Sequence, residues 1–430
     1  MTVEQDLPFL VSAPGKVILF GEHSAVYNEP AVAASVSSLR TYLLVSPAGS
    51  NAEDSIELSF PDIGFDHVWN RKELEPVLRE TALLQAARED TKNLNEELVG
   101  LLNVILEPLK ESLHYHAAFC FLYLFCTLCP SATNIKFSVK STLPIGAGLG
   151  SSAAISVSLA MAMLRLGGKL VTGESLSGED KALINEWAFI GEKCIHGTPS
   201  GIDNAVATYG NAVLFKRSAD GTTDFEFLDK FHELKIPMVL TYTRIPRSTK
   251  VLVSSVRDLS NKYPKVIQDH VIKAMGELAL ESVDILNSGI GGNDSNYERL
   301  LDLVNINHGL LVAIGVSHPG LEIIRNLSIT NSIGATKLTG AGGGGCAFTV
   351  LNKDVPQTEV DKFKEELSKK HGYLSFTSEL GGAGSCMTPT LVAEQYNLVA
   401  PLFENTENNK EELDKTLLPA TATNSLFWIH

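Results

Sequence analysis

Residues 144–154 read PIGAGLGSSAA and lie between a predicted strand and a predicted helix. Three glycines at alternate positions let the backbone take positive φ angles and approach a ligand closely. Ser151 and Ser152 follow at the start of the helix, where backbone N–H groups lack intrahelical partners and attract anions. The pattern predicts a phosphate-binding loop, with a simple strand-to-helix turn as the alternative. It is not a Walker A loop, because neither Gly-Lys pair of the chain is followed by Ser or Thr.

A second glycine cluster lies in residues 337–350, KLTGAGGGGCAFTV, where five glycines occupy six positions just before a predicted strand. Each glycine costs up to about 1 kcal/mol of chain entropy relative to alanine in ordered structure. Such a cluster therefore favours close backbone packing, against a ligand or against the first loop. A flexible hairpin tip is the alternative.

Residues 14–28, PGKVILFGEHSAVYN, begin with a lysine at the start of an apolar run. If Lys16 is buried it requires an anionic partner, since an unpaired buried charge is costly. A lysine that extends to the surface from a strand end is the equal alternative. Glu22 and His23 follow a glycine, where a chain bend would present both side chains to a cleft. The chain contains no HExxH motif, which argues against a zinc peptidase.

Residues 191–204, GEKCIHGTPSGIDN, combine two acids and a histidine. Glu192 falls on the apolar stripe of a predicted helix, so burial predicts a neutralising cation, and Mg²⁺ favours carboxylate and hydroxyl oxygens. A carboxylate that reaches solvent at the helix end is the alternative. Asp203 follows a Gly-Thr-Pro-Ser-Gly turn and is read equally well as a functional acid or as an N-cap of residues 204–207. His196 is interpreted as structural rather than catalytic.

The hydrophobic pattern predicts the elements that position these segments. Branched and aromatic runs predict strands at residues 9–12, 17–20, 41–46, 134–141 and 236–242, and a strand pair within residues 332–351. Apolar composition and helical spacing predict helices at residues 117–129, 153–166 and 181–195, and a solvated helical region over residues 72–113. A strand thus enters the first glycine loop and a buried helix leaves it.

Composition and charge limit the classes of function. With 430 residues, the chain predicts two or three domains at roughly 150 residues each. The net charge of −15 disfavours nucleic acid and anionic membranes as partners, so a polyanionic ligand requires a local metal ion, lysine or helix N-terminus. No secretory signal and no membrane-spanning run is visible. Six cysteines are too sparse for a disulfide scaffold, so a cytoplasmic location is expected and Cys126 and Cys129 are interpreted as core residues.

Three segments together resemble the signature regions of the GHMP family of small-molecule kinases: PGKVILFGEH, PIGAGLGSSAA and KLTGAGGGGC, in the expected order. Within that family, FGEHSAVYN, GEKCIHGTPSGIDN and TYTRIPRSTK (residues 241–250) are similar to the mevalonate kinases of fungi. The resemblance extends from about residue 9 to about residue 384. It is weakest over residues 50–111 and 218–234 and in the C-terminal tail.

This resemblance implies a two-domain α+β fold with the active site in the cleft between the domains. The N-terminal ATP-binding domain, expected over residues 1–230, carries a left-handed βαβ unit, and the C-terminal domain, residues 231–430, is ferredoxin-like. The implied reaction is the ATP-dependent phosphorylation of the 5-hydroxyl of mevalonate, which leads to isoprenoids and sterols. Another GHMP kinase, or a catalytically silent ATP-binding sensor, is the alternative.

The resemblance also implies roles for individual residues. Asp203 is the catalytic base and Lys16 its activating partner, which also contacts ATP. Ser152 and Glu192 are the Mg²⁺ ligands. The residues expected to hold the ATP phosphates are Pro144, Ile145, Gly146, Ala147, Gly148, Leu149, Gly150, Ser151 and Ser152. Glu22, His23, Asp203 and Thr249 are expected on the mevalonate side. A homodimer and feedback inhibition by prenyl diphosphates are further expectations from eukaryotic relatives.

Overall fold

The protein is described here from a computed structural model that covers residues 7–50, 53–112, 114–170, 173, 175–217, 223–228, 231, 234, 236–289, 294–404, 410–419 and 426–430. The strands are β1 (Phe9–Phe20), β2 (Ala31–Pro47), β3 (Ser55–Phe60), β4 (Phe65–Asn70), β5 (Ile135–Ser141), β6 (Ala212–Arg217), β7 (Thr223–Phe227), β8 (Ile236–Tyr242), β9 (Gly334–Leu338), β10 (Cys346–Leu351), β11 (Leu374–Leu380) and β12 (Cys386–Met387). The predicted strands at residues 9–12 and 17–20 are two parts of β1, joined across an irregularity at Pro14 and Gly15.

The helices are α1 (Arg71–Leu78), α2 (Thr81–Glu89), α3 (Glu96–Ile105), α4 (Tyr115–Leu128), α5 (Ser151–Leu166), α6 (Gly178–His196), α7 (Ile202–Tyr209), α8 (Thr249–Lys262), α9 (Pro264–Val266), α10 (Lys273–Ser288), α11 (Asp294–Ala313), α12 (Pro319–Thr330), α13 (Gln357–His371), α14 (Ala393–Glu404) and α15 (Lys410–Leu417). The predicted helices correspond to α4, α5 and α6, and the predicted helical region to α1–α3. The domain boundary expected at residue 230 lies outside the described residues.

Hydrogen bonding joins the strands into one mixed sheet with the order β4-β3-β5-β2-β11-β8-β10-β9. Strand β1 pairs with β2 and β12, and β6 pairs with β2 and β7. Within the described residues, every pairing is antiparallel except that of β3 with β5. Because β11 pairs with both β2 and β8, the sheet is continuous from the first half of the chain to the second. The left-handed sense of the β3–β5 connection stays a prediction.

Because side chains alternate along β1 and β2, the two faces of these strands pack against different sets of residues. Val11 and Leu43 belong to the main apolar core, which also contains the buried faces of α4, α5 and α6. Leu10 and Leu44 point the other way, into a separate cluster formed with α14, α15 and the C-terminus. The tail, for which the sequence indicated no role, therefore covers the second face of β1 and β2.

The structure also tests two predictions from the sequence: that no segment spans a membrane and that the cysteines are core residues. Across the described part of the chain, the helices fall short of the length and hydrophobicity needed to cross a lipid bilayer. All six cysteines are buried and free of disulfides, including Cys126 and Cys129. Burial raises the pKa of the Cys126 thiol to about 12, so this thiol is inert core rather than a reactive group.

Candidate active site

A cavity of about 700 Å³ is lined by residues of both halves of the chain. Its walls come from β1 and the turn after it and from the loop before α5. The C-terminal end of α6, the N-terminal end of α7, and the loops at Arg247 and Gly340 complete them. Most of the site residues expected from the sequence line this cavity: Lys16, Glu22, His23, Pro144, Ile145, Gly146, Gly148, Leu149, Gly150, Ser151, Ser152, Asp203 and Thr249. Ala147 and Glu192 do not line it, and both are buried.

An ion pair joins the two residues that the sequence left most ambiguous. Lys16 Nζ lies 3.2 Å from Asp203 Oδ1, with the lysine side chain 7% exposed and the aspartate 34% exposed. Lys16 is therefore not a surface lysine, because β1 buries its stem. The N-cap of α7 is Gly201, so the reading of Asp203 as a helix cap is wrong. Asp203 lies in the first turn of α7, where the helix dipole favours a negative charge.

Glu192 is buried on α6 and lies close to this pair. Burial, followed by the charge of Asp203, raises the pKa of its carboxyl to about 7, and hydrogen bonds from Ser152 and Ser156 act in the opposite direction. The Ser156 hydroxyl lies 3.5 Å from Glu192 Oε1. The alternative of a solvent-facing carboxylate is therefore wrong. A buried carboxylate beside a serine hydroxyl and a second acid is a set of hard oxygen donors, which fits a Mg²⁺ ion.

The first glycine loop joins β5 to α5 and has the backbone that its sequence predicts. Gly146 and Gly148 take φ angles of 71° and 78°, in the left-handed region that favours glycine. The carbonyl of Leu149 accepts a hydrogen bond from the Lys16 amide at 2.8 Å, so the loop is fixed to β1. Helix α5 begins without a side-chain cap, which leaves its first amides available to an anion. At this end Ser152 Oγ is 3.0 Å from His196 Nε2.

The second glycine cluster forms the β9–β10 connection and packs against an arginine that the sequence analysis did not single out. Arg247 donates to the carbonyl of Thr339 at 3.3 Å and to the carbonyl of Ala147 at 3.2 Å, so it bridges the two glycine loops. A Cβ on Gly345 would lie 2.9 Å from this guanidinium. The cluster is thus packed rather than a flexible tip. The segment TYTRIPRSTK contains two arginines, Arg244 and Arg247, and its sequence does not show which of them bridges the loops, because the partners of Arg247 are distant along the chain.

Glu22 and His23 lie in the turn after β1, and both are buried. The Glu22 carboxylate pairs with Lys337 of β9 and accepts a hydrogen bond from Asn307 Nδ2 of α11 at 3.1 Å. Burial raises the pKa of Glu22 and lowers that of Lys337, and their mutual attraction opposes both shifts. His23 Nε2 lies 2.9 Å from the carbonyl of Ala341. Lys337 and Asn307 were not predicted, because nothing in their local sequence shows a buried partner.

Thr249 begins α8 on the opposite side of the cavity, and it is exposed at the rim. Ser248 caps this helix by accepting a hydrogen bond from the Val251 amide. The hydroxyl of Thr249 is therefore not required for the cap and remains available to the cavity.

Comparison with known proteins shows the family of the chain. The model of the GHMP kinases N terminal domain matches residues 113–211, and the model of the GHMP kinases C terminal matches residues 284–373. The chain is 55% identical to mevalonate kinase of Saccharomyces cerevisiae over 96% of this chain and 98% of the other. It is 35% identical to mevalonate kinase of Homo sapiens over 87% and 93% of the two chains.

Among solved structures, the mevalonate kinase of Methanococcus jannaschii superposes with a TM-score of 0.64 at 23% identity, covering 86% of this chain and 98% of that one. At that identity the likeness concerns the fold alone. The sequence identities of 55% and 35%, which extend over most of the chain, show the family as well as the fold. The chain belongs to the GHMP kinase family, among the mevalonate kinases.

Proposed function

We propose that the chain transfers the γ-phosphoryl group of ATP to the 5-hydroxyl of mevalonate and forms 5-phosphomevalonate, a precursor of isoprenoids and sterols. The observation that carries this proposal is the Lys16–Asp203 ion pair, at 3.2 Å, in a cavity that the glycine loop also lines. Both relatives described above by sequence identity are mevalonate kinases, which supports the choice of substrate. The Leishmania major enzyme of the same fold was solved with R-mevalonate.

In the proposed reaction, Asp203 accepts the proton of the 5-hydroxyl. The alcohol oxygen forms a bond to the γ-phosphorus while the bond from that phosphorus to the β,γ-bridging oxygen breaks, and ADP leaves. The Lys16 ammonium lies against the carboxylate of Asp203, where it stabilises negative charge on the base and on the transferring group. Phosphoryl transfer needs little covalent participation by the protein, so positioning and charge stabilisation supply most of the rate enhancement.

The net charge of −15 requires a local source of positive charge for the triphosphate. We assign it to Lys16, to the uncapped amides at the start of α5, and to a Mg²⁺ ion held by Ser152 and Glu192. When bound, Mg²⁺ neutralises phosphate charge. Within the described residues no cluster of three or more acidic, histidine or cysteine side chains forms a metal cage. That finding agrees with the habit of Mg²⁺ of binding one or two protein oxygens together with substrate phosphates.

The two ends of the cavity take different parts of the ternary complex. Residues 144–152 hold the ATP phosphates, and His23 and Thr249 contact mevalonate. Glu22 contributes to the same wall, but its carboxylate is engaged with Lys337 and Asn307. It therefore shapes the mevalonate side rather than offering it a free charge, which suits a substrate that is itself a carboxylate.

Several wider features remain proposals. We place the domain boundary near residue 230, between the two family matches at residues 113–211 and 284–373. A cytoplasmic location is supported by six buried cysteines without a disulfide. A homodimer, and inhibition by prenyl diphosphates that compete with ATP, are proposed from the family.

The test is an ADP-release assay with ATP, Mg²⁺ and one acceptor at a time: mevalonate, phosphomevalonate or homoserine. We expect turnover with mevalonate alone. Turnover with one of the other acceptors instead would indicate a different GHMP kinase. ATP binding without any mevalonate-dependent ADP release would indicate a silent sensor. Either of those results contradicts the proposal.

A further inference from the structure

The C-terminal helices α14 and α15 cover the face of β1 and β2 that lies opposite α5. Their contacts are made by apolar side chains: Leu10, Tyr42, Leu44, Cys386, Leu391, Val399, Leu402, Phe403, Leu413, Leu417, Leu426 and Trp428. Within this apolar layer, α15 also contributes two charged side chains, Lys410 and Asp414, which lie near the C-terminal end of β5. That is the point from which the chain enters the glycine loop.

Lys410 reaches the backbone immediately before the loop. Its Nζ donates a hydrogen bond to the carbonyl oxygen of Thr142 at 3.1 Å. Thr142 is fully buried, and only one residue separates it from Pro144, where the loop begins. The Tyr42 hydroxyl donates to Asp414 Oδ1 at 3.3 Å, which fixes α15 to β2.

A second polar contact supports the same stretch of backbone, and it comes from Asp62 in the connection between β3 and β4. Lys140 Nζ lies 3.3 Å from Asp62 Oδ1, and the lysine side chain is only 2% exposed. The other carboxylate oxygen of Asp62 accepts a hydrogen bond from the Ser141 amide at 2.7 Å. The next residue, Ile63, lines the cavity. The backbone before the loop, residues 140–142, is therefore held by polar contacts to α15 and to Asp62.

The first glycine loop needs a fixed attachment at its start, because its own backbone is weakly restricted. It contains glycines at three alternate positions with positive φ, and glycine restricts the backbone least of all residues. Its far end is fixed by the hydrogen bond from the Lys16 amide to Leu149. The near end departs from Thr142, whose carbonyl is held by Lys410.

We propose that Lys410, supported by Asp414, is a positioning residue for the ATP phosphate loop, and that the C-terminal tail thereby contributes to nucleotide binding without touching the nucleotide. The inference rests on the proposed function, because it takes residues 144–152 as the phosphate-binding loop. It differs from a purely structural role of the tail in one respect. Loss of the Lys410 ammonium weakens ATP binding selectively, whereas a structural defect affects all parts of the molecule.

The experiment compares Lys410→Met, which removes the ammonium and keeps the length of the stem, with the full-length unmodified chain. Binding of a non-hydrolysable ATP analogue with Mg²⁺ is measured by calorimetry, and KM is measured separately for ATP and for mevalonate. We expect the analogue affinity to fall about 3- to 10-fold, the factor that corresponds to one buried hydrogen bond. KM for ATP rises accordingly, and KM for mevalonate stays unchanged.

The matched control is Lys415→Met, the same change at an exposed lysine of the same helix, and it leaves all three constants unchanged. Lys410→Arg, which keeps the charge and the donors, restores most of the affinity. Hydrogen exchange gives an independent readout: in Lys410→Met the amides of residues 145–150 exchange faster, while those of β8 do not. An unchanged analogue affinity, or equal acceleration of loop and β8, overturns the proposal.

If Lys410→Met does not fold, Lys410→Gln keeps a polar side chain at the position and carries the same comparison. The binding measurement does not depend on phosphoryl transfer. Failure of the unmodified chain to phosphorylate mevalonate would therefore count against the proposed function, while an unchanged affinity in the variants would count against the role of Lys410.

Discussion

The buried pair of Glu22 and Lys337 offers the sharpest test of how the two halves of the chain are held around the cavity. The side chains are 1% and 0% exposed, and the pair joins the turn after β1 to β9. Lys337→Met keeps the length of the side chain but leaves the Glu22 carboxylate without its cation. Removing one partner of a buried ion pair typically costs about 3–5 kcal/mol, a large share of a total stability of about 5–15 kcal/mol.

The free energy of unfolding is measured by urea titration with the fluorescence of the three tryptophans. We expect a loss of about 3–5 kcal/mol at pH 7. Burial raises the pKa of Glu22, so the loss becomes smaller as the pH falls, because protonation of its carboxylate removes the unpaired charge. Combining Lys337→Met with Glu22→Gln recovers most of the stability, since no buried charge is left alone.

The control is Lys362→Met, which breaks the pair with Glu359 on the surface of α13. Those side chains are 70% and 42% exposed, so the expected change is at most about 1 kcal/mol. If Lys337→Met costs no more than this surface control, or if the double variant is no more stable than Lys337→Met, the buried pair does not hold the two halves together.

Three further outcomes are expected. Glu192→Gln raises the Mg²⁺ concentration needed for half-maximal turnover, and an unchanged Mg²⁺ titration would remove Glu192 from the metal site. Burial raises the pKa of Asp414 from 3.8 to about 7, so the folded state retains a proton that the unfolded chain releases. Stability therefore falls as the pH rises from about 4 to about 7. Glu192, whose pKa is also raised to about 7, contributes its own part of this decline, so urea titrations should show a smaller decline in Asp414→Asn, and a decline of undiminished size would refute the assignment. Gly148→Ala weakens binding of an ATP analogue, because its Cβ would lie 1.5 Å from Arg247, whereas Gly64→Ala, also at positive φ but in open space, does not; equal affinities would contradict this.

Most of the framework follows from local sequence. The apolar composition of α4 and α5 and the alternation in β5 are properties of short segments, and the structure confirms them. Helical spacing also placed Glu192 on the apolar stripe of α6, and the structure decides against the alternative of a carboxylate that reaches solvent. In each case the signal lies within one element, so no knowledge of the tertiary fold is needed.

What the sequence alone did not reveal depends on partners that are distant along the chain. Lys16 and Asp203 were each ambiguous until the fold placed them together. Lys337 lies in a short strand whose neighbours give no sign of a buried acid. Arg247 donates its hydrogen bonds to the backbone oxygens of Thr339 and Ala147, which leave no mark in the side-chain pattern. The tail was read as a polar end, yet the sparse apolar residues of α14 and α15 pack, together with the C-terminus, on one face of β1 and β2.

The most direct test of the proposed phosphoryl transfer is the turnover of Asp203→Asn, which keeps the size of the side chain and removes the base. The affinity for a Mg·ATP analogue and the urea midpoint serve as controls for binding and folding. We expect kcat with mevalonate to fall about 10²- to 10⁴-fold while the affinity for the analogue stays close to that of the unmodified chain and the urea titration shows that the variant is folded under the assay conditions. A variant that keeps near-normal kcat would contradict the account, because Asp203 would then not accept the proton of the 5-hydroxyl.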